Sequence, residues 1–182
     1  MITLPQRSCH DSPTALLANS TVVFVLASCL LAIVPGSSDR RVVDRAEAGD
    51  AASEEAHGYA GHDATSGTVR GKAYRQARGW MRYALTTFDD TEVTLALTFV
   101  AIDSMPRGYD VIVEDSLVAS PTFAPKGADQ IVLVEHRVPF ILTKGKANIA
   151  VTIRGRGGFT PALHEVRTVQ DHNEEIIPGV AK

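Results

Sequence analysis

The sequence predicts an all-β fold, an antiparallel β-sandwich of jelly-roll type. Three observations lead there. Short segments in which apolar and polar residues alternate recur at intervals of roughly 10 to 20 residues, the period of half-buried strands. No window sustains the 3.6-residue period of an amphipathic helix. The 14 glycines and 9 prolines are spread along the chain, as many short strands joined by turns require.

The elements follow in order. Residues 21–34, TVVFVLASCLLAIV, are an uncharged apolar run broken by Pro35 and Gly36. A membrane span needs about 20 apolar residues, so this run fits the core of a signal peptide and predicts export. Cys29 closes a lipoprotein-like box, Leu26 to Cys29, but in mid-run; the alternative is a non-native leader over residues 1–38. Residues 39–60 are polar and small and read as an extended linker, although Val42 and Val43 suit the start of a strand. The sandwich is expected over residues 61–170. Its strands are GWMRYAL, VTLALTFVA, YDVIVE, IVLVEHRV, ANIAVTIR and HEVRTV. Alternation assigns Met81, Tyr83 and Leu85 to one face, and likewise Val93 with Leu95, Leu97 and Phe99, Tyr109 with Val111 and Val113, and Ile149 with Val151 and Ile153. Pro139 ends its strand or confines it to an edge. TTFDDTE and LTKGKAN read as turns, and residues 171–182 as a frayed tail that begins near Gln170.

At 182 residues the chain is one domain with a real core. A net charge of −3 argues against a general nucleic-acid binder. Both cysteines, Cys9 and Cys29, fall in the leader, so the sandwich has no disulfide, thiolate metal site or cysteine nucleophile. His57 and His62 lie in HGYAGHD without a third ligand cluster and read as loop histidines. No hydrolase, phosphate-loop or metalloprotease motif occurs. The carboxylate pairs Asp89/Asp90, Glu54/Glu55 and Glu174/Glu175 sit in turns or tails, poor places for a facing acid and base. No cofactor is expected; the residues available, at most, to help hold a structural calcium are Asp89, Asp90 or Asp103.

The most informative stretch is GTVRGKAYRQARGWMRYAL, residues 67–85. It holds the only Trp and two of the four Tyr, with Arg70, Lys72, Arg75, Arg78 and Arg82 and no acidic residue. If Met81, Tyr83 and Leu85 face the core, Trp80 is pushed to the outer surface beside Arg82. An exposed indole flanked by guanidinium and phenol groups is the chemistry of sugar recognition, because sugar C–H faces stack on aromatic rings and hydroxyls bond polar neighbours. The other reading has Trp80 capping the edge of the core among solvated arginines.

In order along the chain, VVDRAEAGDAASEEAHGYAG, SGTVRGKAYRQARGWMRYAL, RGYDVIVEDSLVAS, LTKGKANIAVTIRG and HEVRTV resemble the C-terminal β-sandwich of bacterial arabinofuranosidase-type glycoside hydrolases, families 127 and 146. The resemblance spans roughly residues 41–170. It implies a non-catalytic substrate-binding domain for arabinose-containing glycans, with Tyr74, Arg75, Arg78, Trp80 and Arg82 as candidate sugar contacts. It also implies partners: a glycan, and a hydrolase catalytic domain, docking onto which is the alternative use of the same residues. Those enzymes carry an upstream helical barrel with zinc-holding glutamate and cysteines, so no catalytic residue transfers to this chain. The expectation is a binding domain and not an enzyme, without a membrane-spanning segment in the mature chain. A structural sandwich that docks a hydrolase, or a gene remnant without sugar binding, is the alternative.

Overall fold

The computed structural model describes residues 39–88 and 91–172. The leader with Cys9 and Cys29, Asp89, Asp90, Glu174 and Glu175 lie outside the described residues. Ten strands and two short helices follow one another: β1 (Asp39–Glu47), α1 (Ala51–Ala56), β2 (Ala60–Val69), β3 (Lys72–Thr86), β4 (Val93–Val100), β5 (Arg107–Val113), β6 (Ser116–Ala119), β7 (Thr122–Phe123), β8 (Ile131–Val138), α2 (Phe140–Thr143), β9 (Asn148–Arg156) and β10 (Ala162–His172). In hydrogen-bonded order the ladder runs β6-β5-β9-β3-β10-β4-β8, with β1 on β10, β2 on β3 and β7 on β5. Every pairing is antiparallel.

The ladder is continuous because β3 takes part in two layers. Its Arg75 pairs with Leu163 of β10, while residues 80–86 pair with residues 148–154 of β9. One layer is β2-β3-β9-β5 with β6 and β7; the other is β1-β10-β4-β8. Their inward faces share one core. Phe99 of β4 lies 5.1 Å from the Tyr109 ring and 5.3 Å from Phe123, joining strands distant in the ladder. The predicted inward sets are all found there: Met81, Tyr83 and Leu85; Val93, Leu95, Leu97 and Phe99; Tyr109, Val111 and Val113; Ile149, Val151 and Ile153 are fully buried. Alternation puts them there, since successive strand side chains point to opposite faces. The fold is therefore an antiparallel β-sandwich. No helix among the described residues is long and apolar enough to cross a membrane.

Residues 39–60 are not a linker. Residues 39–47 form β1, paired with β10 from Asp39↔His172 to Glu47↔Glu165, and residues 51–56 form α1. What buries here is small or paired: Ala46, Ala48 and the Glu54 carboxylate. Asp50 caps α1, accepting from the Ser53 N–H at 2.8 Å. Gln170 is not frayed either. Its buried amide accepts from Phe88 N–H at 2.7 Å and donates to the Phe88 carbonyl at 2.9 Å, closing the loop between β3 and β4. Strand β8 ends the ladder at Pro139, as its missing N–H requires.

Candidate functional site

A β-bulge sets the site. Register between β2 and β3 shifts where His62 and Ala64 face Trp80 and Ala77, so β3 carries one extra residue just before Trp80. Gly79 sits in that bulge, because a Cβ there would come within 2.7 Å of His62 Nδ1. With Met81 turned into the core, Trp80 stands half-buried on the outer face. Cross-strand pairing lays Trp80 beside Arg154 of β9, and Arg154 beside Asp110 of β5; the next row is Arg82, Thr152 and Ile112. Trp80, Arg82, Ile112, Asp115, Thr152 and Arg154 together line a cleft of about 320 Å³.

Each arginine of the cleft is braced. Arg82 donates through Nε to Thr152 Oγ1 and through Nη2 to Asp115 Oδ1, both at 2.9 Å. Arg154 donates through Nη2 to Asp110 Oδ2 at 2.7 Å, while its side chain stays 54% exposed and Asp110 only 8%. Asp110 also accepts from the Ser120 hydroxyl at 2.6 Å. The Ser120 hydroxyl and then the Arg154 guanidinium hold this carboxyl below the usual range. Asp115 is presented by a turn of unusual backbone: Glu114 and Asp115 have φ of 50° and 63°. Two successive positive φ values are the mark of the tight type I′ hairpin, which ordinarily takes Asn and Gly. Here Glu114 holds the turn. Its carboxylate accepts from Lys146 Nζ at 2.6 Å and from the Ala150 N–H at 2.7 Å. The cleft thus offers an indole surface, two anchored guanidiniums and an exposed carboxylate, which suit an apolar ring face edged with hydroxyls.

Only two of the five sequence candidates meet in this cleft, Trp80 and Arg82. Arg78 is exposed on the neighbouring surface, its guanidinium 4.9 Å from the centre of the Phe159 ring. Tyr74 lies against its cross-strand partner Gly67, where a Cβ would strike the Tyr74 hydroxyl. It lies six positions along the strand from Trp80, about 20 Å. Arg75 points instead toward α1. Its Nε and Nη2 donate to the two oxygens of Glu54 at 2.7 and 2.6 Å, and its guanidinium covers the Tyr59 ring. Glu54 also accepts from Gly49 N–H at 2.7 Å. This bidentate pair raises the Arg75 pKa above its already high ordinary value and commits the guanidinium to the scaffold.

Sequence reading missed Arg154, Thr152, Asp110, Ile112 and Asp115. Their signal was half visible: if Ile149, Val151 and Ile153 face in, Thr152 and Arg154 face out. Nothing local shows that β9 lies beside β3. His57 and His62 do not meet at a common point. His57 bonds the Ser53 carbonyl through Nδ1 at 2.6 Å and Asp44 through Nε2 at 3.2 Å, whereas His62 packs on Gly79. Asp103 is engaged by Arg107 and by the Met105 N–H. No group of three or more potential metal ligands occurs among the described residues.

No curated protein matches the chain. Among solved structures, it is similar to an exo-β-1,3-galactanase from Phanerochaete chrysosporium with β-1,3-galactotriose, at TM-score 0.54 and 15% identity, over 68% of this chain and 28% of that one. It is also similar to a family 35 carbohydrate binding module from an environmental isolate, at TM-score 0.52 and 14% identity, over 70% of this chain and 96% of the module. A third likeness, to the family 35 module from Paenibacillus barcinonensis, has TM-score 0.50 and 14% identity over 68% of this chain and 96% of that one. At such identities these likenesses are of fold. The match that reaches the sequence itself covers residues 38–169, from the start of β1 into β10, and by it the chain belongs to a family of unknown function, DUF6805.

Proposed function

We propose that this sandwich is a non-catalytic carbohydrate-binding module whose glycan stacks on Trp80. The observation that carries the reading is the half-buried indole on an outer sheet face, beside Arg82 on its own strand and Arg154 across from it, each fixed by a carboxylate. A sugar ring would lay its C–H face on the indole, take hydrogen bonds from the two guanidiniums and give one to Asp115. The fold shared with carbohydrate binding modules supports the reading. Resemblance to the accessory sandwich of family 127 and 146 hydrolases supports arabinose-containing glycans as the ligand and a hydrolase catalytic domain as the working partner. The apolar run at residues 21–34 supports export, with a leader ahead of a module that begins near β1.

Trp80→Ala tests the assignment by affinity electrophoresis or pull-down on insoluble arabinan. The variant should lose retention while its melting temperature stays near that of the parent. Retention equal to the parent's would remove Trp80 from the site. A second reading, docking on a hydrolase without sugar contact, draws on another surface: Ile131 and Leu133 of the end strand β8 and Ile141 of α2 are exposed. Glycan-independent co-purification with a hydrolase, abolished by Leu133→Lys and untouched by Trp80→Ala, would favour it.

A further inference from the structure

A second cleft opens on the same sheet face, one strand row beyond the first. Its volume is about 350 Å³, and its lining includes Met105, Arg107, Gly108, Arg156, Gly158 and Phe159. Arg154 and Arg156 alternate along β9, so the two clefts are offset by about 7 Å along the strand. That step exceeds the reach of one sugar ring. Each cleft alone has the size of a small-ligand site, and the two lie side by side.

The second cleft is built, and its parts are tied to the first. The turn GRGGF folds back tightly: Gly157 has φ of 73°, and a Cβ at Gly155 would overlap the Gly158 carbonyl oxygen. That turn delivers Phe159, partly exposed, to the surface beneath Arg78. Gly108, the cross-strand partner of Arg156, lacks the Cβ that would come within 3.1 Å of the Arg156 guanidinium. The guanidinium lies over it and donates to the Pro121 carbonyl at 2.8 Å. Beneath both clefts sits one buried carboxylate. Asp110 is bonded by Arg154 of the first cleft at 2.7 Å and lies 3.6 Å from Nε of Arg156 in the second. Arg82 is paired with Asp115 and Arg107 with Asp103, while Arg154 and Arg156 share Asp110. The face therefore carries aromatic platforms edged with guanidiniums that carboxylates hold in place.

We infer that the site takes an oligosaccharide chain running along β9, with one ring on Trp80 and a later ring against Phe159 on the side that faces the second cleft, away from Arg78. The inference rests on the proposed carbohydrate reading and adds a second subsite and a chain-length requirement to it. Calorimetry on the full chain with arabinose, arabinobiose, arabinotriose and arabinotetraose tests it, with tri- and tetragalacturonate as acidic controls. Affinity should rise about tenfold from the shortest ligand that binds to the tetrasaccharide, the gain expected of one further aromatic contact. Phe159→Ala should bring that ratio close to one, and Trp80→Ala should abolish binding of the whole series. Met105→Glu, at a side chain 65% exposed on the rim, should also reduce the ratio without disturbing the core. Binding that does not rise with length, or a ratio unchanged in both Phe159→Ala and Met105→Glu, overturns the second subsite while leaving the Trp80 reading intact. Preference for the galacturonates overturns arabinose-containing chains as its ligand. No binding across the series overturns both readings together.

Discussion

Arg75 spends its guanidinium on Glu54, a carboxylate 6% exposed, whereas Arg154 leaves half of its surface to solvent above Asp110. The contrast sorts two arginines that a sequence cannot sort. Removing Arg75 strands a buried carboxylate, a loss that costs about 3 to 5 kcal/mol in a fully buried pair. Arg75 keeps 24% of its surface, so Arg75→Met should cost about 2 kcal/mol in denaturant unfolding, with glycan retention preserved in the folded fraction. Arg154→Ala leaves Asp110 the Ser120 hydroxyl at 2.6 Å and Arg156 at 3.6 Å, so unfolding free energy should stay within about 1 kcal/mol of the parent, with glycan affinity roughly tenfold weaker. If Arg75→Met abolishes retention in a fully folded sample, its assignment to the scaffold is wrong. At this scale the sequence showed what lies on one strand. Trp80 and Arg82 were legible because two residues of spacing put them on one face. Glu54 stands 21 residues upstream of Arg75, and Asp110 is 44 residues from Arg154, so both partnerships were invisible.

Among the elements, β4, β5 and β9 were legible from alternation, because large apolar residues mark every second position, and β8 from its run of β-branched and apolar residues before Pro139. β1 and α1 were not. Their buried positions are alanines and an ion-paired glutamate, which pattern reading takes for linker composition. β2 was missed for a related reason: its residues, AGHDATSGTV, are small and polar, and backbone pairing of nine of them with β3 holds it. The bulge ahead of Trp80 was equally hidden, since an extra residue leaves no trace without the partner strand. The turn after β9 permits a test. Gly155→Ala drives a methyl into the Gly158 carbonyl and approaches the Arg78 carbonyl to 3.3 Å, so it should lower stability by about 2 kcal/mol. Thermal unfolding reads this; a variant as stable as the parent would show that the turn relaxes without cost.

For the whole molecule, three carboxylates tie separate parts of the chain together, and each is held below its ordinary value. Asp44 is pushed up by burial, but the Thr86 N–H, His57 and the Arg45 N–H outweigh that and bring it down. Asp110 is lowered by Ser120 and Arg154, and Glu114 by Lys146 and the Ala150 N–H. A lowered carboxylate contributes stability that is complete above its unfolded value, 3.8 for Asp and 4.5 for Glu, and is lost as pH falls through the folded value. His136 adds an earlier step. Burial lowers it from 6.5, so the unfolded chain takes up the proton first and stability declines as pH falls from that point through the folded value. Melting temperature against pH should therefore fall in two stages, one starting near 6.5 and a steeper one below about 4. His136→Asn should remove only the first. A single stage in the parent would contradict the contribution of His136.

The most direct test of the central claim is fluorescence titration of the full chain, whose sole tryptophan is Trp80. Arabinan-type oligosaccharides would be titrated alongside unrelated glycans. The account predicts a saturable shift in Trp80 emission with arabinose-containing chains and none with the unrelated panel. A flat response from folded protein across every glycan would contradict it and turn attention to protein docking through β8.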